Sequence, residues 1–376
     1  MRRTIQKKKV ALLTIFDTIN FGTYLQAFAT AIKMQELGAE VEVVRYERKH
    51  NRYRVPFENK FHWLKILTWL YAILKNNKSY FQRKECRKFV SNHIKVSKLY
   101  YTYEELSNKP PLADIYVTGS DQVWNTIHNS GIEKAYYLDF VPDKIKKIAF
   151  SASIGMDEWD PQYKNESKRL LQRYETISVR EDRAVNLLAE IGINAQKVVD
   201  PTFLLSRKEW SNYTTPYKNA MPYVLVYSVE GGDCDQIVSK VARHVAKYIG
   251  AEVIEVNYVG ETKQIPSCDK RFKYATPGIF LSLLLGASYT VVSSFHGTAF
   301  SINLKIPFIT VSPERFSSRI DSLLLETCLM SRKVSEYDYD VVQKILLEQI
   351  DFTYSQNVLN KEKNKTIEFI KNHIIN

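Results

Sequence analysis

The sequence predicts an α/β protein with two Rossmann-like domains that face a cleft. Short apolar runs alternate with helical patterns along the chain, which is typical of parallel sheets covered by helices. The chain has 376 residues, more than one core usually serves, and the alternation starts afresh after a polar and aromatic linker at 207–222. We therefore expect a first domain over 1–210 and a second over 211–376.

The first domain opens with a strand–helix–strand unit. An apolar run at 10–16 predicts a strand, and Leu25, Phe28 and Ile32 lie on one face of a helical pattern that Gly38 ends. The next strand is expected at 41–46. Later strands are expected at 113–118, 147–153 and 176–180, a last strand and turn at 198–202, and helices at 161–174 and 181–190.

The segment 47–110 interrupts this alternation with basic and aromatic residues and no strand pattern. Residues 1–110 contain 22 basic residues (Lys and Arg) and 9 acidic residues (Asp and Glu), a net charge of +13. The other 266 residues contain 31 basic and 32 acidic residues, a net charge of −1. An apolar stretch at 61–74 has helical spacing and a narrow polar face. One interpretation is a helix on an anionic membrane surface, and the other is a helix packed on the domain beside solvated charge.

The second domain repeats the alternation. Strands are expected at 223–228, 252–257, 289–294 and 307–311, and helices at 235–248, 277–285, 298–304, 320–326 and 341–350. A final helical pattern at 360–375 could cross back onto the first domain.

Several function classes lack support in the sequence. The four cysteines are far apart and form no C-x-x-C pair, which argues against a zinc cluster and a disulfide framework. No apolar run approaches the roughly 20 residues of a membrane span, and the first one is too short for a secretory signal. The excess charge is local, which argues against a globally basic nucleic-acid binder. A cytoplasmic protein is expected, with no metal site.

Polar residues follow the predicted strands at positions where α/β sheets bind ligands. His296 stands between a strand and a helix that begins near Gly297, so it is either a ligand-facing imidazole or a histidine bonded to a backbone carbonyl. The segment 119–125 combines hydroxyl, carboxylate, amide and indole groups suited to a sugar, although Asp121 could cap a helix and Trp124 could be core.

Two further clusters could bind an anion. Arg180 ends a strand and could grip a phosphate or carboxylate, or pair with Glu181 or Asp182. Arg319 belongs to a group with Arg315 and two serines, which is otherwise a solvated loop.

Eight pieces of sequence, taken in order, resemble one enzyme family. The pieces are NFGTYLQ at 20–26, GSDQVWN at 119–125, FSASIG at 150–155, SVRE at 178–181, VDPT at 199–202, SFHG at 294–297, KIPF at 305–308 and FSSRID at 316–321. Together the chain resembles the polysaccharide pyruvyl transferases. The resemblance implies a glycosyltransferase-B-like fold and transfer of the pyruvyl group of phosphoenolpyruvate onto two hydroxyls of one sugar. The implied acceptor is a surface polysaccharide or its lipid-linked precursor, and no cofactor is implied.

The resemblance also implies roles for individual residues. Arg180 and His296 match the residues associated with catalysis at the donor site. The wider donor-binding set is Arg180, Ser294, His296, Gly297, Lys305 and Arg319. The acceptor-side candidates are Asn20, Gln26, Asp121, Gln122 and Asn125. Some family members have an arginine where this chain has Ser294, so Lys305 or Arg319 would have to supply the second phosphate clamp.

Two other functions remain open at this point. One is a glycosyltransferase of the same architecture that uses a nucleotide sugar. The other is a non-catalytic protein that binds a membrane surface through the basic segment before residue 110.

Overall fold

Two parallel β-sheets form the frame of the protein. The computed structural model describes residues 7–16, 20–48, 70, 74, 78–257, 265–312 and 318–376. In this part of the chain, the first sheet has seven strands in the spatial order 3-2-1-4-5-6-7, and the second has six in the order 10-9-8-11-12-13. In both sheets the order reverses beside the first strand, as in a Rossmann fold. The prediction of two α/β domains is confirmed.

All neighbouring strands pair in parallel. The strands of the first sheet are β1 (Lys9–Leu13), β2 (Glu40–Tyr46), β3 (Lys95–Tyr100), β4 (Ile115–Thr118), β5 (Lys146–Ala152), β6 (Thr176–Val179) and β7 (Gln196–Lys197). The strands of the second sheet are β8 (Tyr223–Tyr227), β9 (Glu252–Val256), β10 (Lys270–Phe272), β11 (Tyr289–Val292), β12 (Phe308–Val311) and β13 (Lys333–Val334).

Helices connect the strands and cover the sheets. Those of the first half are α1 (Phe21–Glu36), α2 (Lys78–Ser91), α3 (Tyr103–Asn108), α4 (Thr126–Asn129), α5 (Pro161–Leu171), α6 (Asp182–Glu190) and α7 (Arg207–Ser211). Those of the second half are α8 (Asp233–Ile249), α9 (Pro277–Gly286), α10 (Phe295–Asn303), α11 (Ser318–Glu326), α12 (Tyr339–Leu347) and α13 (Thr353–Ile370).

Helix α1 lies between the two domains. The sequence predicts one apolar face for it, but every residue from Phe21 to Met34 is buried. The reason is that the second domain covers the other side: the Phe21 ring stacks on Phe280 of α9 with centroids 4.8 Å apart. Trp210 lies nearby between Phe28 and Phe300. One continuous apolar core therefore joins the two domains.

The C-terminal helix α13 crosses back onto the first domain, as the sequence suggested. The Phe369 ring lies 6.0 Å from that of Phe150 in β5. The backbone N–H of Val199 donates to Thr366 Oγ1 at 3.1 Å. Helix α13 therefore packs the C-terminal end of the chain against the first sheet.

Three expectations about elements need correction. The basic segment 47–110 contains β3, which the sequence did not suggest because this edge strand is polar and half exposed on both faces. The strand part of the strand and turn expected at 198–202 is wrong, because β7 ends at Lys197, whereas the turn is present as a 3₁₀ turn at Pro201–Phe203 that Asp200 caps. Most of the helix expected at 61–74 lies outside the described residues, although Leu70 and Leu74 are described and exposed. No described helix is both long and apolar enough to cross a bilayer.

Candidate active site

A cavity of about 440 Å³ lies between the two domains. It is at the carboxyl ends of β1 and β4 in the first sheet and of β8 and β11 in the second, which are the two positions where the strand order reverses. Ligands of α/β sheets bind at such positions. The polar side chains on its wall come from Asn20, Thr23, Asp121, Gln122, Asn125, His128, Glu230, Ser293, Ser294, His296 and Arg319.

His296 lies in the first turn of α10, on the second-domain wall of the cavity. Ser294 caps this helix, because its Oγ accepts from the Gly297 N–H at 3.0 Å. The His296 Nε2 atom is buried, has no hydrogen-bond partner among the described residues and lies 3.8 Å from Asp200 Oδ2. Burial lowers the pKa of His296 to about 4, since attraction by Asp200 does not make up for the lost hydration. The imidazole is therefore neutral at pH 7.

Gly22 of the first domain lies directly against the His296 imidazole. A Cβ atom at this position would lie 2.3 Å from Cγ and Nδ1 of His296, well inside van der Waals contact. Gly22 therefore allows α1 to approach the ring closely. The orientation of the candidate catalytic histidine thus depends on a contact between the two domains.

We expect Gly22→Ala to move the imidazole and to lower turnover strongly, with a smaller effect on thermal stability. The added methyl cannot share the space of the ring, and a small misplacement of a catalytic group can cost about 10²-fold in rate. Turnover and Tm of the single variant test this. In a His296→Ala background, Gly22→Ala should have no further effect on rate; an undiminished additional loss would contradict the contact.

Arg180 forms the centre of a buried ion cluster directly behind the cavity. Its side chain is fully buried, and Nη1 donates to Asp200 Oδ2 at 2.7 Å and to Ser120 Oγ at 3.2 Å. Nη2 lies 3.6 Å from Asp121 and Nε 3.7 Å from Glu181. Three carboxylates thus surround one guanidinium, and Arg180 does not line the 440 Å³ cavity.

Asp121 links this ion cluster to the cavity. Its backbone has a φ of 80°, a left-handed conformation that is uncommon for residues with a side chain and often found at functional sites. Burial alone would raise the pKa of Asp121, but the charge of Arg180 and bonds from Thr23 and Gln122 hold it at about 2. Asp121 therefore presents an ionised carboxylate at the cavity wall.

Arg319 of α11 is the arginine on the described wall of the cavity. When the Gln122 side-chain amide has its oxygen toward α11, both Nη atoms of Arg319 donate to it at 3.1 Å. The Phe295 ring lies beside both arginines, 4.7 Å from Cζ of Arg180 and 6.0 Å from Cζ of Arg319. Arg315 lies outside the described residues.

A family model describes most of this chain. The model of the polysaccharide pyruvyl transferases matches residues 20–315. The chain belongs to this family. The matched region contains the carboxyl ends of β4, β8 and β11 at the cavity, and it includes Asp121, Arg180 and His296. No curated protein shows significant similarity to the sequence.

Solved structures resemble the pyruvyl transferase chain in fold alone. One is a putative UDP-N-acetylglucosamine 2-epimerase from Listeria monocytogenes, with 11% identity, a TM-score of 0.58, and coverage of 98% of this chain and 97% of the other. Another is the Neisseria meningitidis UDP-GlcNAc 2-epimerase bound to UDP-GlcNAc, with 9% identity, a TM-score of 0.53, and coverage of 97% and 100%. A third is Arabidopsis thaliana UGT89C1 complexed with UDP-L-rhamnose, with 12% identity, a TM-score of 0.50, and coverage of 97% and 98%. The architecture is glycosyltransferase-B-like.

The structure brings most of the predicted donor residues together, but not all of them. Ser294, His296 and Arg319 line the cavity, and Arg180 lies behind it. Lys305 does not join them, because it is exposed beyond the C-terminal end of α10, whereas His296 is in the first turn.

Most of the predicted acceptor residues also line the cavity. Asn20 caps α1 and accepts from Tyr227 of the second domain at 3.3 Å, and Asn125 caps α4. Gln26 is not on the wall, since its Nε2 donates to oxygens of residues 14, 15 and 23 inside the first domain. Trp124 is fully buried against Tyr137 and provides no platform for a sugar.

Sequence reasoning missed several residues of the site. His128 and Glu230 line the cavity, Asp200 pairs with Arg180, and Phe295 lies beside both arginines. His128 follows the 119–125 segment by three residues, and that proximity was the signal available in the sequence. A turn was expected at 198–202, but no local pattern indicates that it brings Asp200 to Arg180, 20 positions earlier in the chain.

Proposed function

We propose that the protein transfers the pyruvyl group of phosphoenolpyruvate onto two hydroxyls of one sugar in a surface polysaccharide or its lipid-linked precursor. The observation that carries the proposal is the His296 imidazole, which is neutral, has a free buried nitrogen and faces a cavity between two domains. Membership of the polysaccharide pyruvyl transferase family supports a transferase with a glycan acceptor.

The proposed reaction replaces the phosphate on C2 of phosphoenolpyruvate by two sugar oxygens. Protonation of C3 makes C2 an oxocarbenium-like electrophile, and the first hydroxyl oxygen bonds to it and loses its proton. The C2–O bond to phosphate then breaks, and the second hydroxyl closes the ketal ring and loses its proton. One of the two hydroxyl protons balances the proton on C3, and the other leaves with inorganic phosphate. The site must hold an anion and move protons.

The donor is proposed to bind beside His296 and Arg319. Arg319 supplies a cation on the wall, and Arg180 adds positive potential from behind it. Ser294 occupies the position where some relatives have an arginine, and its hydroxyl already caps α10. With Lys305 placed elsewhere, Arg319 is the described residue that replaces the missing clamp.

The acceptor is proposed to bind on the first-domain wall. The ionised Asp121 carboxylate and the amides of Asn20, Gln122 and Asn125 present several hydrogen-bonding groups to the cavity. Such a set suits neighbouring sugar hydroxyls, which both donate and accept hydrogen bonds. Because C3 protonation creates the electrophile, the reaction is proposed to need no metal or organic cofactor.

The alternative of a nucleotide-sugar glycosyltransferase draws support from the fold, since solved neighbours carry UDP-GlcNAc or UDP-L-rhamnose. The charges at the second sheet weigh against it. Helix α8 begins with Asp233 and Asp235, and Glu230 lies on the cavity wall beside it. A diphosphate favours a helix N-terminus with free N–H groups and positive potential, and acidic residues there repel it.

The decisive experiment incubates the protein with phosphoenolpyruvate and lipid-linked oligosaccharides, with and without EDTA. Phosphate release together with the mass gain of one pyruvyl ketal, unchanged by EDTA, is the expected result. Sugar transfer from a nucleotide sugar in a parallel reaction would instead identify the glycosyltransferase. If neither donor is consumed while the protein binds vesicles, the non-catalytic binding protein is the better account.

We also propose that the basic region brings the enzyme to the inner face of an anionic membrane that carries its acceptor. Residues 1–110 hold a net charge of +13, and Leu70 and Leu74, four positions apart, are 41% and 82% exposed. Exposed leucines beside basic residues are typical of a helix that lies on a lipid surface.

The protein is therefore expected to co-sediment with vesicles that contain an anionic lipid, and to be released by salt. Each basic residue near such a surface adds about 1 kcal/mol, and ions screen the attraction. A Leu70→Ser, Leu74→Ser variant should bind more weakly at every salt concentration. Equal binding to neutral vesicles, or none to anionic vesicles at low salt, would contradict the membrane role.

A further inference from the structure

The cavity contains a second histidine that the reaction as described so far does not use. His128 of α4 lies on the first-domain wall, and His296 lies on the second-domain wall. The proposed reaction moves protons at C3 and at two hydroxyl oxygens. A single imidazole would have to serve on both the donor and the acceptor side of the cavity.

The turn that carries His128 is held by groups other than its ring. Asn125 Oδ1 accepts from the His128 N–H at 2.9 Å, and Arg48 Nη1 donates to Asn129 Oδ1 at 2.7 Å. In the described part of the chain, neither ring nitrogen of His128 makes a hydrogen bond. The imidazole is exposed to the cavity on a fixed backbone, so its nitrogens are available to a ligand.

Burial and two nearby arginines favour the neutral form of His128. Loss of hydration in the wall lowers its pKa, Asp121 opposes this, and Arg319 and Arg48 lower the pKa further. A neutral imidazole near pH 7 has a lone pair that can accept a proton.

We propose that His128 is the base that takes a proton from an acceptor hydroxyl, while His296, protonated once the anionic donor binds beside it, delivers that proton to C3 of the donor. The proposal rests on the proposed function. His128 shares its wall with Asp121 and Asn125, where the sugar is placed. His296 lies 3.8 Å from Asp200, the carboxylate that pairs with Arg180, on the side where the anionic donor is placed. The first hydroxyl oxygen bonds to C2, its O–H bond breaks, and the proton passes to the free ring nitrogen of His128.

The test compares wild type, His128→Gln and a histidine control, His93→Gln, with phosphoenolpyruvate and the lipid-linked acceptor. His93 lies just before β3, at the amino end of that strand, whereas the cavity lies at the carboxyl ends of β1 and β4. We expect His128→Gln to lower kcat about 10²–10⁴-fold, the range for one general acid–base group, with KM for phosphoenolpyruvate within roughly twofold. In wild type, protonation of His128 should lower kcat/KM at acid pH. This decrease should be absent in His128→Gln and present in His93→Gln.

The possible outcomes separate the inference from the function on which it rests. An active wild type with full turnover in His128→Gln overturns the role of His128 alone. A raised KM for phosphoenolpyruvate with unchanged kcat also overturns it, since His128 would then bind the anion. A wild type that consumes no phosphoenolpyruvate overturns the proposed function and the inference with it. If circular dichroism shows that His128→Gln is unfolded, His128→Asn takes its place.

Discussion

Replacing His296 with Gln is expected to lower turnover about 10²–10⁴-fold, the range for loss of one general acid–base group. Glutamine keeps much of the size and polarity of the side chain but cannot carry the proton. The ring fills the space above Gly22, so a polar substitute of similar size should also leave the contact between the domains largely intact. Wild-type turnover in this variant would remove His296 from the mechanism.

The pH dependence of donor binding shows whether His296 also holds the phosphate. Burial lowers the pKa of His296 to about 4, so the ring carries no charge at pH 7 unless an anion binds nearby and raises that pKa. If the ring then takes up a proton, donor affinity rises as the pH falls below the pKa of the bound state toward about 4, and it is lowest once the pH has risen above the pKa of the bound state. Calorimetric titration of phosphoenolpyruvate across about pH 5.5–8.5 tests this.

The two possible roles give different titrations. If His296 transfers a proton and does not hold the phosphate, affinity is nearly the same in wild type and His296→Gln at every pH. If it holds the phosphate, the pH dependence is present in wild type and absent in the variant. A pH dependence that persists in His296→Gln would assign the titration to another group, such as the phosphate of the donor.

The sequence was sufficient to predict the positions of the site but not the contacts within it. His296, Asp121 and Arg180 all follow strands, and parallel strands bring their carboxyl ends to one edge, so their approximate locations followed from the fold. The strand order that brings β4 and β11 beside the cleft follows the Rossmann pattern, which the alternation of elements already suggested.

The sequence did not predict these contacts, because they join residues that are far apart in the chain. Gly22 touches His296 across the domain boundary, 274 positions away in the chain. Arg180 was expected to meet a ligand or a neighbouring carboxylate, but its shortest ion pair is with Asp200, which a 3₁₀ turn places beside it. Lys305 was expected at the donor because of its motif, yet the length of α10 separates it from His296.

Arg180→Ala is expected to destabilise the protein by about 3–5 kcal/mol at pH 7, the usual cost of breaking a buried ion pair by removing one partner. Asp200 is almost completely buried, and the Asp121 carboxylate lies 3.6 Å from Nη2 of the same guanidinium. Without the guanidinium, these two carboxylates lose the charge that compensates their burial. Urea unfolding of wild type and variant measures the difference.

The pH dependence of the stability lost in Arg180→Ala shows whether uncompensated carboxylates cause the loss. In wild type the pKa of Asp121 is about 2, below its usual 3.8, so its contribution to stability is present above pH 3.8 and is lost as the pH falls toward 2. Without Arg180, burial raises the pKa of both aspartates above the unfolded value, because burial is the largest influence on each. The stability deficit of the variant should therefore be smaller at pH 5 than at pH 7.5.

A matched variant distinguishes a structural arginine from one that grips the donor directly. Arg180→Met with Asp200→Asn replaces the pair by side chains of similar size without a net charge, and should recover much of the stability lost in Arg180→Ala. Its donor affinity should stay low if Arg180 also supplies positive potential to the anion at Arg319. A variant Arg180→Ala with wild-type stability and greatly weakened phosphoenolpyruvate binding would mean that the guanidinium leaves its carboxylates to bind the donor. The buried 2.7 Å contact between Arg180 Nη1 and Asp200 argues for the structural role, since a donor that recruited Nη1 would have to break that pair.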